Sequence, residues 1–469
     1  MPIRITPPAQ RAGRGLLLLA LLSLAAPLRA TEPAVAGTMP EDYLPGLQGI
    51  LDRALHQSPS MIAAELLVAV ADAQRGMSGV APLLPNIAVG PAYGKSVETV
   101  SGNSGASNGE NGLVYSGTIR QNLFQWGRLK DQLEVQKTAE LIAERNYAEA
   151  YRGFAGTLRR EYMALVVQGT DLRNARNQLD ASRESLAVAR DSLKRGAIAQ
   201  SDIGPVELDA DERQLGVDRE DQAFAFARRT LARQVGMTDI PEASIPAGIP
   251  APRYAPETAN RLLAALMGDG ARGTYQAQVA SLNIRQADLN YRMARVQLLP
   301  QFFATAGISQ QNNTYATAQS VQQTLVTNKS YYVNANWTLF DGLETHWAKV
   351  QALAYKRYWE RQLEIATENA LDQAENSRRG VDFAWRALQI ADRLHAMADG
   401  YFHHVQSEFK LGNAPRDAFV AAGNSLYVSE TALDSARADF LSSWGDFVSL
   451  AGADPAMNSL PIHYVRNLR

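Results

Sequence analysis

The stretch YYVNANWTLFDG, Tyr331–Gly342, begins with the periodicity of a strand and ends where a helical pattern begins. Its apolar face consists of Tyr331, Val333, Ala335, Trp337 and Leu339. Its polar face is formed chiefly by Asn334, Asn336 and Thr338. Strict alternation of this kind predicts a strand with two different faces. Beyond Phe340 the alternation stops, and the helical pattern that follows is far longer than an ordinary globular helix.

The composition excludes several classes of protein. The chain has 469 residues, a net charge of −2, a mean hydropathy of −0.22 and no cysteine. A charge this close to zero gives no reason to expect a nucleic acid as a partner. The lack of cysteine excludes disulfides, thiolate metal sites and cysteine nucleophiles. A bundle of transmembrane helices is excluded too, because charged residues make up 20% of the chain.

The N-terminus has the pattern of an export signal. Arg4, Arg11 and Arg14 supply positive charge around the start of the apolar run Leu16–Ala26, and small residues follow. The run is shorter than the roughly 20 residues that a membrane-spanning helix needs, which argues against an anchor. We therefore predict a signal peptide over residues 1–36, cleaved at about 30–36.

The rest of the chain repeats itself at an offset of 215 or 216 residues. The recurring landmarks are Leu83-Leu84-Pro85 and Leu298-Leu299-Pro300, Leu123-Phe124 and Leu339-Phe340, Gly196 and Gly412, and Gly236 and Gly452. This period is too long for a solenoid and indicates a duplicated domain. We predict a first repeat over residues 37–237, a Pro- and Ala-rich linker over 238–255, a second repeat over 256–453 and a C-terminal tail over 454–469.

Each repeat has the same order of parts: a short helical region, a strand, a polar loop, a second strand and two long helical blocks. The Leu-Leu-Pro motif ends the short helical region, because proline has no N–H and disfavours helix in the residue before it. The predicted strands are Asn86–Tyr93, Gly112–Phe124, Gln301–Gln310 and Tyr331–Phe340. The predicted helical blocks are 128–194, 202–235, 343–410 and 416–450.

The block over 343–410 has the spacing of a coiled coil. Steps of three or four residues separate Ala384, Leu388, Ala391, Leu394, Ala398, Tyr401 and Val405. This spacing predicts one amphipathic stripe, and its alanines allow neighbouring helices to approach closely. At about 1.5 Å per residue, a helix of this length spans about 100 Å, so it serves to bridge a distance.

The strands have the length and the faces of membrane strands. Roughly 9–11 residues are enough for a tilted strand to cross a bilayer. The face that contains Trp337 suits lipid, and the face that contains Asn334 suits a watery lumen. A half-buried hairpin of a soluble protein alternates in the same way. Four strands cannot close into a barrel, whereas three chains would provide twelve, so a membrane location requires oligomerisation.

Together these features resemble the TolC family of outer-membrane efflux and secretion channels. The resemblance covers residues 40–453 and is carried by the duplicated pattern, the Leu-Leu-Pro motifs and the strand-to-helix junctions NLFQWGR and TLFDGLE. The junction residues are Phe124, Gly127, Phe340, Asp341 and Gly342. The resemblance implies a mainly α protein with membrane β structure. It would be a homotrimer whose twelve-stranded β-barrel, with four strands per chain, continues into a long α-helical coiled-coil tunnel.

The resemblance also implies a location, a function and partners. The protein would lie in the outer membrane of a Gram-negative bacterium and extend into the periplasm. It would be the passive exit duct of a tripartite export system, for drug or solute efflux or for type I secretion. Its partners would be outer-membrane lipid, a periplasmic adaptor and an inner-membrane pump of the RND or ABC type. The alternatives are a periplasmic adaptor, which has a single helical hairpin, and a structural coiled-coil protein of the envelope.

In this family, hydrogen bonds and ion pairs close the periplasmic end of the tunnel at the turns between helices. The matching turns here are GAIAQSDI, residues 196–203, and GNAPRDAF, residues 412–419. Gly196 and Gly412 would end the preceding helices, as a glycine past a helix commonly does.

The resemblance then assigns residues to the gate. The candidates are Ser201, Asp202, Phe409, Arg416 and Asp417. The fit has departures, since Phe409 stands where the family has a tyrosine and Phe419 lies where a second aspartate is expected. Phenylalanine has no hydroxyl to donate, so the links of this gate should differ from the usual ones. An aspartate in the first turn of a helix also has a purely structural use at the N-terminal dipole.

No catalytic constellation is visible. His395, His403 and His404 lie in one helical block, but the first two point about 80° apart around the helix and the third faces elsewhere. The chain also has no phosphate-binding or nucleotide-binding fingerprint. We therefore expect no enzymatic activity, no metal and no cofactor.

Overall fold

The computed structural model describes residues 39–99, 107–316 and 320–460. The predicted signal peptide, residues 461–469 of the predicted tail and the tips of both polar loops lie outside these ranges. The helices and strands are α1 (Pro40–Tyr43), α2 (Pro45–Gln57), α3 (Pro59–Gln74), β1 (Asn86–Thr99), β2 (Ser107–Phe124), α4 (Arg128–Lys194), α5 (Gln200–Val235), α6 (Pro256–Gly268), α7 (Tyr275–Arg295), β3 (Gln301–Ala316), β4 (Val321–Asn336), α8 (Glu344–Lys410) and α9 (Arg416–Leu450). A π-helical turn, Arg75–Val80, and a 3-10 turn, Ala81–Leu83, continue α3 toward β1.

The long helices begin and end close to their predicted positions. α4 and α8 have 67 residues each, and α5 and α9 have 36 and 35. At about 1.5 Å per residue, the two longest helices each extend about 100 Å. Within the described ranges no single helix has the length and hydrophobicity to cross a membrane. The bent pair Pro45–Gln57 and Pro59–Leu83 meets these criteria jointly.

The strands form one antiparallel sheet in the order β1-β2-β3-β4. Its register places Ile119 between Ile87 and Ala306, and Ala306 opposite Tyr331. Directly paired residues lie on the same face of a sheet. The predicted alternation therefore continues across all four strands as one apolar face and one polar face.

The strands extend well past the predicted hairpin ends. β1 continues to Thr99 and β2 starts at Ser107, and β3 continues to Ala316. Most of the two stretches predicted as polar loops is therefore strand. The alternation of apolar residues that predicts a strand is lost once both faces meet water, although the backbone ladder can continue.

β4 ends earlier than predicted, at Asn336 and not at Phe340. The cause lies in its partner strand, because Asn336 pairs with Gln301, the first residue of β3. The residue before β3 is Pro300, which has no N–H to offer. Trp337 and the residues that follow it thus have no ladder to join, and they form the connection to α8.

Residues 238–255, predicted as a linker, cross the core between the two repeats. Ile240 and Ile249 are buried there. The Asp434 carboxylate of α9 accepts hydrogen bonds from the Ile249 N–H at 3.3 Å and from the Thr170 hydroxyl of α4 at 2.9 Å. This segment is therefore bound to helices of both repeats.

A buried ion cluster ties both ends of the described chain to α4. Arg159 is only 2% exposed and donates two hydrogen bonds to the Asp454 carboxylate, at 2.6 and 2.8 Å. It donates two more to Glu41, at 3.1 and 2.6 Å. A buried guanidinium needs this degree of pairing, since an unpaired buried charge is costly.

Candidate functional site

The two hairpin turns are built in the same way. Gly196 and Gly412 follow α4 and α8 with φ angles of 74° and 81°, a left-handed conformation that glycine adopts without strain. Their N–H groups donate to the carbonyls of Leu193 and Phe409, at 2.9 and 3.0 Å. Each glycine thus ends one long helix and turns the chain into the next.

In the first turn, the candidate gate residues Ser201 and Asp202 bond locally. The Asp202 carboxylate accepts a hydrogen bond from the Ala199 N–H at 3.0 Å and another from the Ser201 hydroxyl at 3.2 Å. An acidic side chain that reaches back in this way satisfies a free N–H at the helix start. Within one chain, these two residues start α5.

In the second turn, Arg416 reaches across to the other repeat. Its Nε–H donates to the Ser185 hydroxyl of α4 at 3.1 Å, and its Nη2 lies 3.3 Å from a Glu184 carboxylate oxygen. The Glu184 side chain is 73% exposed, so water screens this ion pair. Arg416 therefore links the start of α9 to α4. The neighbouring Asp417 is exposed and makes no side-chain hydrogen bond or ion pair with the residues the structure describes.

A stack of three phenylalanines holds α8 and α9 together near this turn. The Phe409 and Phe419 rings are nearly parallel, with centroids 5.1 Å apart and planes 9° apart. Phe402 continues the stack on the other side of Phe419, at 5.5 Å and 29°. Phe402 was not predicted as part of this site, although its spacing of one heptad from Phe409 places both residues on one face of α8. Both phenylalanines that depart from the family pattern belong to this stack.

The strand-to-helix junctions share an unusual backbone. Trp126 and Gly127 have φ angles of 52° and 84°, and Gly342 and Leu343 have φ angles of 66° and 70°. Each junction thus has two successive left-handed residues at equivalent places in the repeats. In the first repeat the glycine is the second residue of the pair, Gly127. In the second repeat it is the first residue, Gly342. The other position carries a side chain in a conformation that costs energy.

Side chains hold these junctions in place. The Trp126 indole N–H donates a hydrogen bond to the Pro300 carbonyl at 2.8 Å. The Trp126 ring packs edge-on against the Phe124 ring, with the ring centroids 5.0 Å apart. The Asp341 carboxylate accepts hydrogen bonds from the hydroxyl and the N–H of Thr345, in the first turn of α8. The Thr345 hydroxyl and then its N–H hold the pKa of the Asp341 carboxyl below its ordinary value.

None of the residues that the structure describes covers the apolar face of the sheet. Its exposed side chains are Ile87, Val89, Tyr93, Leu113, Tyr115, Ile119, Tyr331 and Val333. The opposite face is polar and carries its own contacts, such as the hydrogen bond from the Asn334 amide to the Thr305 hydroxyl at 3.0 Å. An exposed apolar face opposite a polar one matches a strand between lipid and a watery lumen.

α8 carries two apolar stripes, where the sequence predicted one. The first is packed within the chain and contains Val381, Leu388, Ala391, Ala398 and Val405. The second is exposed and contains Phe383, Ile390, Leu394, Met397 and Tyr401. The prediction that Leu394 and Tyr401 share one stripe with the packed residues is therefore wrong. Each stripe follows a heptad, and the two are about 100° apart around the helix.

The exposed faces lie at the two open edges of the chain. Next to the sheet, α3 packs on α4, α4 on α7 and α7 on α8; farther away, α5 packs on α4, α4 on α9 and α9 on α8. The outer members are α3 and α5 on one side and α8 on the other, just as β1 and β4 are the outer strands. Exposed apolar side chains lie on α3 at Leu67 and Val70 and on α5 at Leu208, Leu215 and Phe226.

The comparisons with known proteins agree with this architecture. Residues 50–235 match the model of the family "Outer membrane efflux protein". A search of curated proteins found no match. Among solved structures, a membrane protein from Pseudomonas aeruginosa has a TM-score of 0.67 at 17% identity, over 94% of this chain and 98% of that chain. The MtrE outer membrane channel of Neisseria gonorrhoeae has a TM-score of 0.65 at 18% identity, over 90% and 93%. VceC of Vibrio cholerae has a TM-score of 0.62 at 14% identity, over 88% and 98%.

The family match and the similar structures test the predicted fold, location and family resemblance. The mostly helical fold with four antiparallel strands per chain is confirmed. The matched family consists of outer membrane efflux proteins, in agreement with the predicted location and with a role in export. The family match over residues 50–235, together with a fold shared over nearly the whole chain, confirms the resemblance to the TolC family of outer-membrane efflux channels.

Proposed function

We propose that three copies of this chain close into an outer-membrane channel that continues as a helical tunnel. The supporting observation is that the outer strands of the sheet and the outer helices lie on the same two sides of the chain, and that these helices carry exposed apolar side chains. β4 of one copy would pair with β1 of the next, while the exposed stripe of α8 would cover α5 of that copy. This is a head-to-tail contact, which closes into a ring when the rotation allows.

The dimensions fit a duct. Twelve strands about 4.8 Å apart and tilted by about 40° enclose a barrel of about 12 Å radius, which leaves a watery lumen. The long helices add a tunnel of about 100 Å, long enough to extend across a periplasm. We propose that the duct is the passive exit of a tripartite export system. A periplasmic adaptor and an inner-membrane pump of the RND or ABC type would engage the end formed by the hairpin turns.

The turns at 196–203 and 412–419 would then form the gate. The Phe402–Phe419–Phe409 stack keeps α8 against α9, and the Arg416 contacts keep that hairpin against α4. Opening would require α9 to move away from α4, which breaks the Arg416 contacts. Asp417, exposed beside them, would face the pore and favour cations there.

The assembly is tested by mass and by fractionation. The protein should leave the envelope fraction only with detergent, and native mass spectrometry should then find three chains. The double variant Ile390→Asp, Met397→Asp places charges on the exposed α8 stripe and should yield monomers. Gln389→Asp, also exposed but on the polar side of α8, is the matched control and should remain trimeric. A native protein that is extracted without detergent, or that is monomeric in it, would refute the proposal.

A further inference from the structure

Arg120 stands out on the polar face of the sheet. The register pairs it with Asn86 on one side and Thr305 on the other, so it lies on the face opposite Ile119. Across the strand residues whose side chains the structure describes, it is the only charged residue on this face. The surrounding positions are Asn, Thr, Ser, Gln, Tyr, Phe, Val, Ala or Gly.

The charge of Arg120 is held in place but not neutralised. Its guanidinium carbon lies 4.0 Å from the centre of the Phe303 ring, in a cation–π contact that fixes the side chain along the sheet. The side chain is exposed, and no ion pair joins it to any residue in the described ranges. Because a guanidinium stays protonated at every physiological pH, each chain contributes one full positive charge here.

We propose that Arg120 makes the barrel lumen prefer anions. This inference rests on the trimer proposed above, in which three copies of Arg120 form a ring a few residues from the strand ends that lead into α4. Solutes with carboxylate, sulfonate or phosphate groups would be concentrated at the ring, and cations of the same size would be depleted. The ring would act in series with any cation preference that Asp417 creates at the far end of the tunnel.

The expected effect depends strongly on salt. At about 0.01 M ionic strength the Debye length is about 30 Å, so three charges about 12 Å from the axis act on the whole cross-section. Their combined potential there changes ion concentrations by about threefold. At about 1 M salt the Debye length is about 3 Å and the ring no longer affects the axis.

The test is the reversal potential of the full trimer in planar bilayers under a KCl gradient. At low salt, Arg120→Gln should lower the anion-to-cation permeability ratio at least about threefold, and Arg120→Lys should preserve the native ratio. At about 1 M salt all variants should agree. Lys329→Gln is the matched control, because Lys329 is exposed on the opposite, lipid-facing side of β4, where it pairs with Ile308.

The outcomes separate this inference from the proposed function. If Arg120→Gln conducts with an unchanged permeability ratio, the anion preference is refuted while the channel stands. The same follows if Arg120→Lys behaves like Arg120→Gln, or if Lys329→Gln shifts the ratio equally. If the native protein does not conduct at all, the proposed function itself fails, before any variant is compared.

Discussion

Phe419→Ala should loosen the second hairpin turn more than the removal of any polar contact there. Phe419 lies in the middle of the stack, with one ring contact to Phe409 and another to Phe402. Aromatic pairs contribute about 0.5–1.5 kcal/mol each beyond their apolar burial, so the loss of two pairs costs about 1–3 kcal/mol, and the lost burial of the ring adds to this cost. Arg416→Ala, by contrast, removes a screened ion pair worth about 0.2–1 kcal/mol.

Amide hydrogen exchange across residues 405–420 measures this difference directly, since it reports the free energy of local opening. Phe419→Ala should speed exchange there about tenfold or more, and Arg416→Ala about fivefold at most. Phe419→Leu keeps apolar volume without the ring and should fall between native and Phe419→Ala. In planar bilayers the order of open probability should be the same.

Equal or reversed effects of the two substitutions would contradict a dominant role of the aromatic stack. If Arg416→Ala speeds exchange as much as Phe419→Ala does, polar links and not the aromatic stack hold the turn. A normal exchange rate in Phe419→Ala would show that the α8–α9 contact is maintained by the packed stripe farther along the helices.

Three further substitutions test other parts of the structure. Arg159→Met should lower the free energy of unfolding by about 3–5 kcal/mol, because it leaves the Asp454 carboxylate buried and unpaired. The control is Arg160→Met, which removes an exposed ion pair and should lower the free energy of unfolding by less than about 1 kcal/mol. Denaturant titration compares the two variants. Leu343→Gly should raise the thermal midpoint, by relief of about 1 kcal/mol of left-handed strain. Burial, and a hydrogen bond to a carboxylate, raise the pKa of Tyr254 to about 12. The stabilisation from neutral, buried Tyr254 is therefore complete below about pH 10 and is lost as the pH rises to about 12. Tyr254→Phe should remove this pH dependence of the free energy of unfolding.

The helices could be predicted closely from the sequence because their ends are chemically marked. Gly196 and Gly412 stop two of them, and Pro415 stands at the start of α9. The strands were less predictable, for a physical reason. Hydrophobic alternation reports only the part of a strand that has one apolar face, so the polar continuation to Thr99 and to Ala316 left no signal. The early end of β4 depended on its partner strand, which no local pattern reveals.

The two hairpin turns proposed as the gate show a similar limit. The positions of these glycine turns could be predicted from the repeated spacing, but their contacts could not. Arg416 meets Ser185 from the other repeat, and Phe419 meets Phe402 from a different helix. Such pairs depend on the register between helices. The two stripes of α8 became distinguishable only when the structure showed which one is packed and which one is exposed.

In the trimer proposed above, the two open edges of the chain would have a genetic consequence. A ring of identical subunits uses both edges of every chain, so one chain with a damaged edge would interrupt the whole circle. In a cell that produces native and altered chains together, most of these rings would contain at least one altered member. Substitutions on the exposed stripe of α8 damage one edge and leave the other intact, so they should be dominant, whereas a chain altered at both edges should be recessive.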